Sequence, residues 1–555
     1  MTPIIECVPN FSEGSNLQII QSITQEIEKV EGVRLLNVDP GKATNRTVVT
    51  FVGRPEAVVE AAFMAIRRAG ELIDMRHHRG EHPRMGATDV CPLIPVSGIS
   101  MEETASWAQK LAKRVGHELS IPVYLYEAAQ KDKTRSNLSV IRAGEYEGLS
   151  EKLKNPQWKP DFGPAVFDEK RGATVIGARD FLVAYNVNLN TTSVRRANSV
   201  AFDVREAGRI KREGDPIQGA IVRDASGQPV TLPGTLKSVK AIGWYIKEYG
   251  IAQISMNLTN LGVTPLHKAF DEVCRKAEAR GIRVTGSELV GLIPLQSLLD
   301  AGKYFLNKQQ RSAGVSEKEL IRIAILTMGL DELGPFKPEE RIIEYTLKDP
   351  ADEQLIRLSL SEFADETASE SPAPGGGSVS AYLGALGAGL GAMVANLTAQ
   401  KKDWAVFGEW AEKASTCKKE LLSLVDADSK AFEGIMQARA LPKTTDEEKA
   451  LRSEAIQQAT RQAIEIPYRV MQLAFKSMEV IEAMARDGNP NSKSDAGVGA
   501  LCARSAVLGA WLNVRINATG SETDPLIAKI LAEGQKLQSM AITKEKEILD
   551  LIGLS

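Results

Sequence analysis

The chain is short of cysteine, histidine, aromatic residues and net charge, and each shortage narrows what it can be. Its five cysteines (Cys7, Cys91, Cys274, Cys417, Cys502) are scattered through 555 residues without a C-x-x-C pair, which argues against a disulfide scaffold or cysteine-bound zinc and suits reduced thiols. A formal net charge of −3 gives no general field to draw in nucleic acid or an anionic membrane, so polynucleotide partners are set aside. The opening Met1-Thr2-Pro3-Ile4-Ile5-Glu6 has neither the basic start nor the apolar core of a secretory signal, and the expected location is the cytoplasm. Val379 to Leu397 carries no charged residue and has the length of a membrane span. Gly and Ala dominate it, however, so its transfer free energy is weak, and a buried helix with close crossings in a soluble bundle is the expectation. What is present in ordinary amounts, 43% apolar and 25% charged residues, describes a globular protein of three or four domains at roughly 100–200 residues each.

The scarce histidines are concentrated. Three of the five (His77, His78, His82) precede or lie in the stretch Glu81-His82-Pro83-Arg84-Met85-Gly86-Ala87-Thr88-Asp89-Val90-Cys91-Pro92. Pro83 holds His82 out of the helical region, Gly86 permits a tight reversal, and Val90 to Val96 reads as a buried strand, so His82 is expected at a strand mouth. A single His in a Pro/Gly loop is more often a surface residue than a catalyst. A metal site built from the three lacks the i, i+4 helical spacing and the acidic third ligand it needs, and no metal is expected.

Read in order, strand Ile4 to Val8, helix Leu17 to Val30, strands Val33 to Val38 and Thr47 to Val52, helix Pro55 to Met75 and the strand after His82 give β-α-β-β-α-β, the order of a ferredoxin-like unit. A helix over Met101 to Leu119 and a strand over Val123 to Tyr126 extend it. Gly144 to Gly172 reads as loop-rich. The order then recurs: strand Phe181 to Asn188, helix Ser193 to Ala207, strands Lys240 to Ile246 and Ala252 to Leu258 about Glu248-Tyr249-Gly250, helix Leu266 to Ala279, and strand Leu289 to Pro294. Arg209 to Lys237 is a Gly/Pro-rich insertion expected to be exposed.

From about Ser316 strand signals stop, and a helix over Leu355 to Ala368 leads to Ser371-Pro372-Ala373-Pro374-Gly375-Gly376-Gly377-Ser378 and an all-helical remainder. That glycine-rich loop is either a flexible N-cap or a cradle for oxygens of an anion at a helix N-terminus. Asp426 and Asp428 fall on one helix, and a carboxylate facing a bundle interior is either paired or functional. The fold class is therefore mixed α/β (α+β) followed by all-α. Two ferredoxin-like subdomains occupy 1–178 and 179–334, a linker 335–357, and a helical domain 358–555.

The chain resembles the formimidoyltransferase-cyclodeaminase family through Glu6-Cys7-Val8-Pro9-Asn10-Phe11-Ser12-Glu13-Gly14, Thr44-Asn45-Arg46-Thr47-Val48, Gly80-Glu81-His82-Pro83-Arg84-Met85-Gly86-Ala87 and Asp161-Phe162-Gly163-Pro164. The likeness continues through Gly243-Trp244-Tyr245, Glu288-Leu289-Val290-Gly291-Leu292, Pro374-Gly375-Gly376-Gly377-Ser378, Val425-Asp426-Ala427-Asp428, Leu441-Pro442-Lys443 and Asn513-Val514-Arg515-Ile516-Asn517. Nearly the whole chain is covered in the family's order. The departures are the 209–237 insertion and a slightly different spacing between the glycine-rich loop and Asp428.

The resemblance implies a bifunctional folate enzyme of histidine degradation. It would move the formimidoyl group of N-formimidoyl-L-glutamate to N5 of tetrahydrofolate, polyglutamylated in this reading, and then cyclise the product to 5,10-methenyltetrahydrofolate with release of ammonia. It also implies a homo-oligomer and small-molecule partners only. His82 suits the proton shuttle between N5 and the glutamate nitrogen, since one group near pKa 7 serves both steps. Asp39 is expected to orient or stabilise the imidazole, and Arg46 to meet a substrate carboxylate. The folate-binding loop corresponds to Gly163, Pro164, Ala165, Val166, Phe167, Asp168, Glu169, Lys170, Arg171 and Gly172. Asp428 is assigned as acid–base residue of the cyclodeaminase, with Asp426 as its control on a different helix face. The alternatives are a non-catalytic folate-binding scaffold, or a protein keeping one of the two activities.

Overall fold

The structure is a computed structural model, and it describes residues 3–41, 45–79, 84–215, 218–347 and 354–553. The chain divides into two compact units, one of residues 1–297 with 329–347 and one of 298–328 with 348–555.

In the first unit, β1 (Ile4–Cys7) and β2 (Asn10–Phe11), helix α1 (Leu17–Glu28), β3 (Val33–Gly41), β4 (Arg46–Gly53), α2 (Pro55–Leu72) and β5 (Thr88–Ser97) build the expected ferredoxin-like order. The first two short strands act as one broken strand, lying between β4 and β5 and antiparallel to both, while β3 forms the edge beside β4. Helix α2 starts with Pro55 at its first turn, where no amide donor is needed. It buries Val58, Val59, Ala62, Phe63, Ile66 and Ala69, spaced at three and four so that one stripe faces the sheet. Helix α3 (Met101–Glu118) is started by a capping box of Ser100 and Glu103 and is followed by β6 (Val123–Glu127).

One strand of this sheet escaped the sequence reading. After the short helices α4 (Leu138–Arg142) and α5 (Leu149–Lys154), β7 (Thr174–Ala178) inserts between β5 and β6 and is parallel to both. All five of its residues, Thr174 included, are buried, and such a short, uniformly buried stretch carries no alternation from which a strand can be recognised. Gly86 lies against β7's approach, where an added Cβ would sit 2.4 Å from both the Arg171 and Ala173 carbonyl oxygens, so glycine is required there for close backbone approach.

The second subdomain of this unit comprises β8 (Val183–Leu189), α6 (Val194–Val204), the small hairpin β9 (Arg209–Ile210) and β10 (Thr231–Leu232), β11 (Val239–Ile246), β12 (Ile251–Leu258), α7 (Leu266–Glu278) and β13 (Val284–Val290). Its sheet runs β11-β12-β8-β13, again the ferredoxin-like arrangement. The last strand begins five residues before the expected Leu289, because a register shift between Val284 and Gly286 breaks the alternation that marks a strand start. The inserted 209–237 segment forms the small hairpin and is mostly exposed among its described residues.

The second unit opens with α8 (Leu295–Lys308), assigned here from Leu298, and α9 (Glu317–Met328). The sequence reading placed both with the second subdomain, up to 334. Short α10 (Pro338–Arg341) and α11 (Ile343–Thr346) return to the first unit. The second unit then continues with α12 (Leu360–Thr367), α13 (Gly376–Ala399), α14 (Trp404–Ala440), α15 (Asp446–Asp487), α16 (Lys493–Ala518) and α17 (Pro525–Leu551). The α8–α9 pair docks onto this bundle: Asn396 and Ser415 both donate to the Gly314 carbonyl at 2.9 Å, and Lys303 pairs with Glu412 at 2.6 Å. The expected helix over 355–368 is instead a short 3-10 turn, Leu355–Arg357, followed by α12. Ser359 and Glu362 form a capping box that starts a new helix.

Helices α13 and α16 are long and apolar enough to cross a membrane, but α13 buries 61% of its most apolar window inside the bundle. Its glycines permit the close crossings: a Cβ on Gly387 would lie 2.9 Å from the Gly499 carbonyl oxygen, and one on Gly384 3.2 Å from Leu421.

Candidate active sites

In the first unit the segment that begins at Arg84 is held from several sides. Arg84, 9% exposed, donates to both carboxylate oxygens of Glu147 at 2.6 and 2.9 Å, to Glu145 at 3.1 Å and to His78 Nδ1 at 3.2 Å. Its neighbour Met85 donates its amide to Asp89 Oδ1 at 3.0 Å. Asp89 is 1% exposed and pairs with Arg142, whose Nε lies 3.3 Å away. Burial pushes the Asp89 carboxyl above its ordinary range, and the Arg142 guanidinium opposes that shift. Arg46 faces the same pair. Burial and the neighbouring Arg142 weaken its hold on its proton, while Asp89 and Asp39 strengthen it. Four charged groups from β3, β4, β5 and α4 thus share one region.

His82, the expected proton shuttle, lies outside the described residues. Asp39 sits exposed on edge strand β3, opposite Val48, and its field reaches Arg46. Asn45, in the left-handed region at φ +45°, accepts from the Gly14 amide at 3.0 Å and donates to the Arg79 carbonyl at 2.8 Å. His78 Nε2 lies 2.9 Å from the Asn45 carbonyl. The start of β4 is therefore fastened to His78 and Arg79.

The 163–172 loop runs beside this region. Gly163 has φ +82° and lies so close to the Ile121 carbonyl that a Cβ would fall 2.2 Å from it. Its two cations are engaged by the fold: Lys170 donates to the Glu71 carbonyl at 2.8 Å, and Arg171 donates to the Leu119 carbonyl at 2.7 Å and pairs with Asp168. Pro164, Ala165 and Val166 are the outward-facing part, with Val166 67% exposed. Next to α4, a cleft of about 550 Å³ is lined by Asn137, Arg142, Gly144, Glu145 and, from β11 of the second subdomain, Lys240.

In the second unit the glycine-rich loop meets Asp428. Gly375 caps α13, and a Cβ on Gly377 would lie 2.1 Å from Asp428 Oδ1. The Ser378 hydroxyl donates to Asp428 Oδ2 at 3.2 Å and to the Val425 carbonyl at 2.9 Å. The anion at this helix N-terminus is thus the protein's own carboxylate. Burial nevertheless pushes the Asp428 carboxyl up, against the lowering effect of the Ser378 hydroxyl and amide. Phe432, the expected apolar neighbour one turn on, is 44% exposed. Asn513 of α16 flanks the same loop, 3.4 Å from where a Cβ on Gly376 would lie. Asp426 is used differently: it is 6% exposed and accepts the backbone amides of Leu355 at 2.7 Å and Ile356 at 3.4 Å.

Family models decide what these two regions belong to. A "Formiminotransferase domain, N-terminal subdomain" model matches residues 4–179, a "Formiminotransferase domain" model 184–348, and a "Formiminotransferase-cyclodeaminase" model 359–536. The formimidoyltransferase-cyclodeaminase of Sus scrofa is 43% identical over 555 residues, covering 99% of both chains. The chain belongs to the formimidoyltransferase-cyclodeaminase family. It is a bifunctional enzyme with transferase and cyclodeaminase activities. Relatives of each part exist alone. The glutamate formimidoyltransferase of Thermoplasma acidophilum is 43% identical over 305 residues, 55% of this chain and 92% of that one. The methenyltetrahydrofolate cyclohydrolase of Methylorubrum extorquens is 35% identical over 198 residues, 35% of this chain and 95% of that one.

Sequence reasoning passed over Asp89, Arg142 and Asn513. Asp89 stood within the opening motif without a role, and its signal was an acidic residue inside an apolar strand. Arg142 is separated from it by 53 residues and gave none.

Proposed function

We propose that the first unit transfers the formimidoyl group from N-formimidoyl-L-glutamate to N5 of tetrahydrofolate. The second unit then closes the ring to 5,10-methenyltetrahydrofolate and releases ammonia. In the transfer, N5 attacks the formimidoyl carbon, N5 loses a proton, the glutamate nitrogen gains one, and the old C–N bond breaks. His82 carries that proton in this reading, Asp39 stabilises its cation, Arg46 takes a substrate carboxylate, and residues 163–172 bind folate. In the cyclisation, N10 attacks the same carbon and loses its proton, and the imine nitrogen, having gained that proton and one more, leaves as ammonia.

The observation that carries the reading is the placement of Asp428 against Gly377 and Ser378. A carboxyl made weaker as an acid by burial holds the proton that the departing nitrogen needs. We further propose division of labour across residues 335–357, tetrahydrofolate in polyglutamylated form, and a cytoplasmic homo-oligomer. The five unbridged cysteines suit a reducing compartment.

The test is incubation of the full chain with formimidoylglutamate and tetrahydrofolate, following methenyltetrahydrofolate absorbance and ammonia together. Equal amounts of both are expected. His82→Ala should lower transfer about 100- to 10,000-fold and leave cyclisation of supplied 5-formimidoyltetrahydrofolate intact; near-normal transfer would remove His82 from the mechanism.

A further inference from the structure

The four-stranded sheet of the second subdomain has two unlike faces. One carries Tyr185, Val187, Ile254, Met256 and Leu289, all buried. The other carries Asn186 and Asn188 on β8, Gln253 and Ser255 on β12, Glu288 on β13 and Trp244 on β11, brought into rows by the strand register. Asn186, Asn188 and Gln253 are 4%, 0% and 0% exposed. Burying such groups costs free energy that an apolar face would avoid, and the cost is offset only where each group is hydrogen-bonded.

These side chains form one network. Trp244 Nε1 donates to Gln253 Oε1 at 3.1 Å. The Gln253 amide donates to Asn188 Oδ1 at 2.8 Å and to Glu288 Oε2 at 3.3 Å. Asn186 donates to the same Glu288 oxygen at 3.1 Å, and Asn188 donates to Glu332 at 2.6 Å. Three members reach solvent: Trp244 is 41% exposed, Glu288 is partly exposed and Glu332 is exposed. The Gln253 side-chain amide links Trp244 to Glu288. Among the described residues Glu288 has no cationic partner within ion-pair distance. A carboxylate has about four acceptor positions; two amide donors fill the Oε2 side and the Oε1 side is left.

We propose that Glu288 and Trp244 form a subsite for the 2-amino-4-oxopyrimidine ring of the pterin. The inference rests on the transferase reading above. That ring presents two adjacent N–H donors, at N3 and the 2-amino group, which match the remaining acceptor positions of Glu288. Its flat face stacks on the indole, whose plane is held by the bond to Gln253. Lys240, two residues before Ile242 and on the same outward side of β11 as Trp244, lines the cleft that also contains Arg142. The outward side of β11 thus borders, through Lys240, the cleft that Arg142, the partner of Asp89, also lines. A formimidoylglutamate carboxylate is a poor occupant beside Glu288, because like charges repel.

The test is a direct binding titration of the full-length protein, followed by tryptophan fluorescence, with 5-formyltetrahydrofolate and with its 2-desamino analogue. Wild type should bind the first at least about 10-fold more tightly. Glu288→Gln should weaken 5-formyltetrahydrofolate binding about 10- to 100-fold, the range for losing hydrogen bonds to a charged acceptor, and should abolish the discrimination. Trp244→Leu should weaken both ligands equally. KM for tetrahydrofolate should rise in Glu288→Gln while KM for formimidoylglutamate stays level. Unchanged cyclisation of supplied 5-formimidoyltetrahydrofolate and an unchanged circular dichroism spectrum would show that the variants fold. Equal wild-type affinity for the two ligands, or a rise confined to the formimidoylglutamate KM, overturns the proposal. A wild type that binds neither folate and transfers nothing overturns the transferase reading instead.

Discussion

Gly377→Ala isolates the contact between the glycine-rich loop and Asp428 with a single methyl group. The added Cβ would be built 2.1 Å from Oδ1 and 2.4 Å from the carboxyl carbon of Asp428. Ordinary non-bonded contacts are about 3.5 Å, so the carboxyl must move by roughly 1.4 Å or the helix start must shift. Either movement lengthens the 3.2 Å bond from the Ser378 hydroxyl. A misplacement of about 1 Å at a reacting centre costs on the order of 100-fold in rate, and forcing a methyl into a filled space costs about 1–3 kcal/mol of stability. Ammonia release from supplied 5-formimidoyltetrahydrofolate should therefore fall on the order of 100-fold, while transfer in the first unit is unchanged. Gly375→Ala is the control. Its φ is −97°, and the nearest atom to an added Cβ is the Pro372 carbonyl oxygen at 4.0 Å, so cyclisation should stay within a few-fold of the parent. A Gly377→Ala enzyme that cyclises normally, or a Gly375→Ala enzyme that loses activity equally, refutes the assignment of Asp428 by this geometry.

Asp428→Asn keeps the shape and removes the proton, so it should block ammonia release without affecting transfer. Asp426→Asn should loosen the 355–357 turn and lower stability with a much smaller loss of rate; the reverse outcome moves the acid to Asp426. Because burial raises the Asp428 carboxyl, the cyclisation rate should fall as pH rises through that raised value, and a flat profile argues for another donor. Arg142→Met leaves the buried Asp89 without its hydrogen-bonded cation, with only Arg46 and the Met85 amide beside it, and should lower the first unit's unfolding free energy by up to about 3–5 kcal/mol. The loss should be smaller at low pH, where Asp89 takes up a proton, and less than about 1 kcal/mol by denaturant titration would contradict the buried pair. Glu6, 5% exposed, is pushed by burial from 4.5 to about 7. The native state then holds the extra proton between those values, and first-unit stability falls with rising pH across that window. Glu6→Gln should gain roughly 2–3 kcal/mol relative to the parent between pH 5 and pH 8; a gap that does not change with pH sinks this account.

The two βαββαβ orders were readable because period-2 and period-3.6 patterns alternate cleanly in the stretches from Ile4 to Val96 and from Val183 to Glu278. The long helices were readable from their apolar spacing. The features that failed have physical reasons. Strand β7 is uniformly buried and lacks a period, and the 355–368 helix was cut by a local capping box. The site was half visible: residue chemistry singled out Asp428 and the glycine-rich loop, yet treated them as separate features. Their contact across 51 positions of chain is what gives the carboxyl its surroundings.

Local sequence thus decided element type, order and the two-part character of this enzyme, because propensity, capping and hydrophobic periodicity act over a few residues. The register that aligns Trp244, Gln253, Asn186 and Glu288, the pairing of Asp89 with Arg142, and the seating of Asp428 on Gly377 were decided by tertiary structure. Each depends on which distant segments share a low-dielectric space, and burial and charge pairing there set both proton affinity and the cost of change.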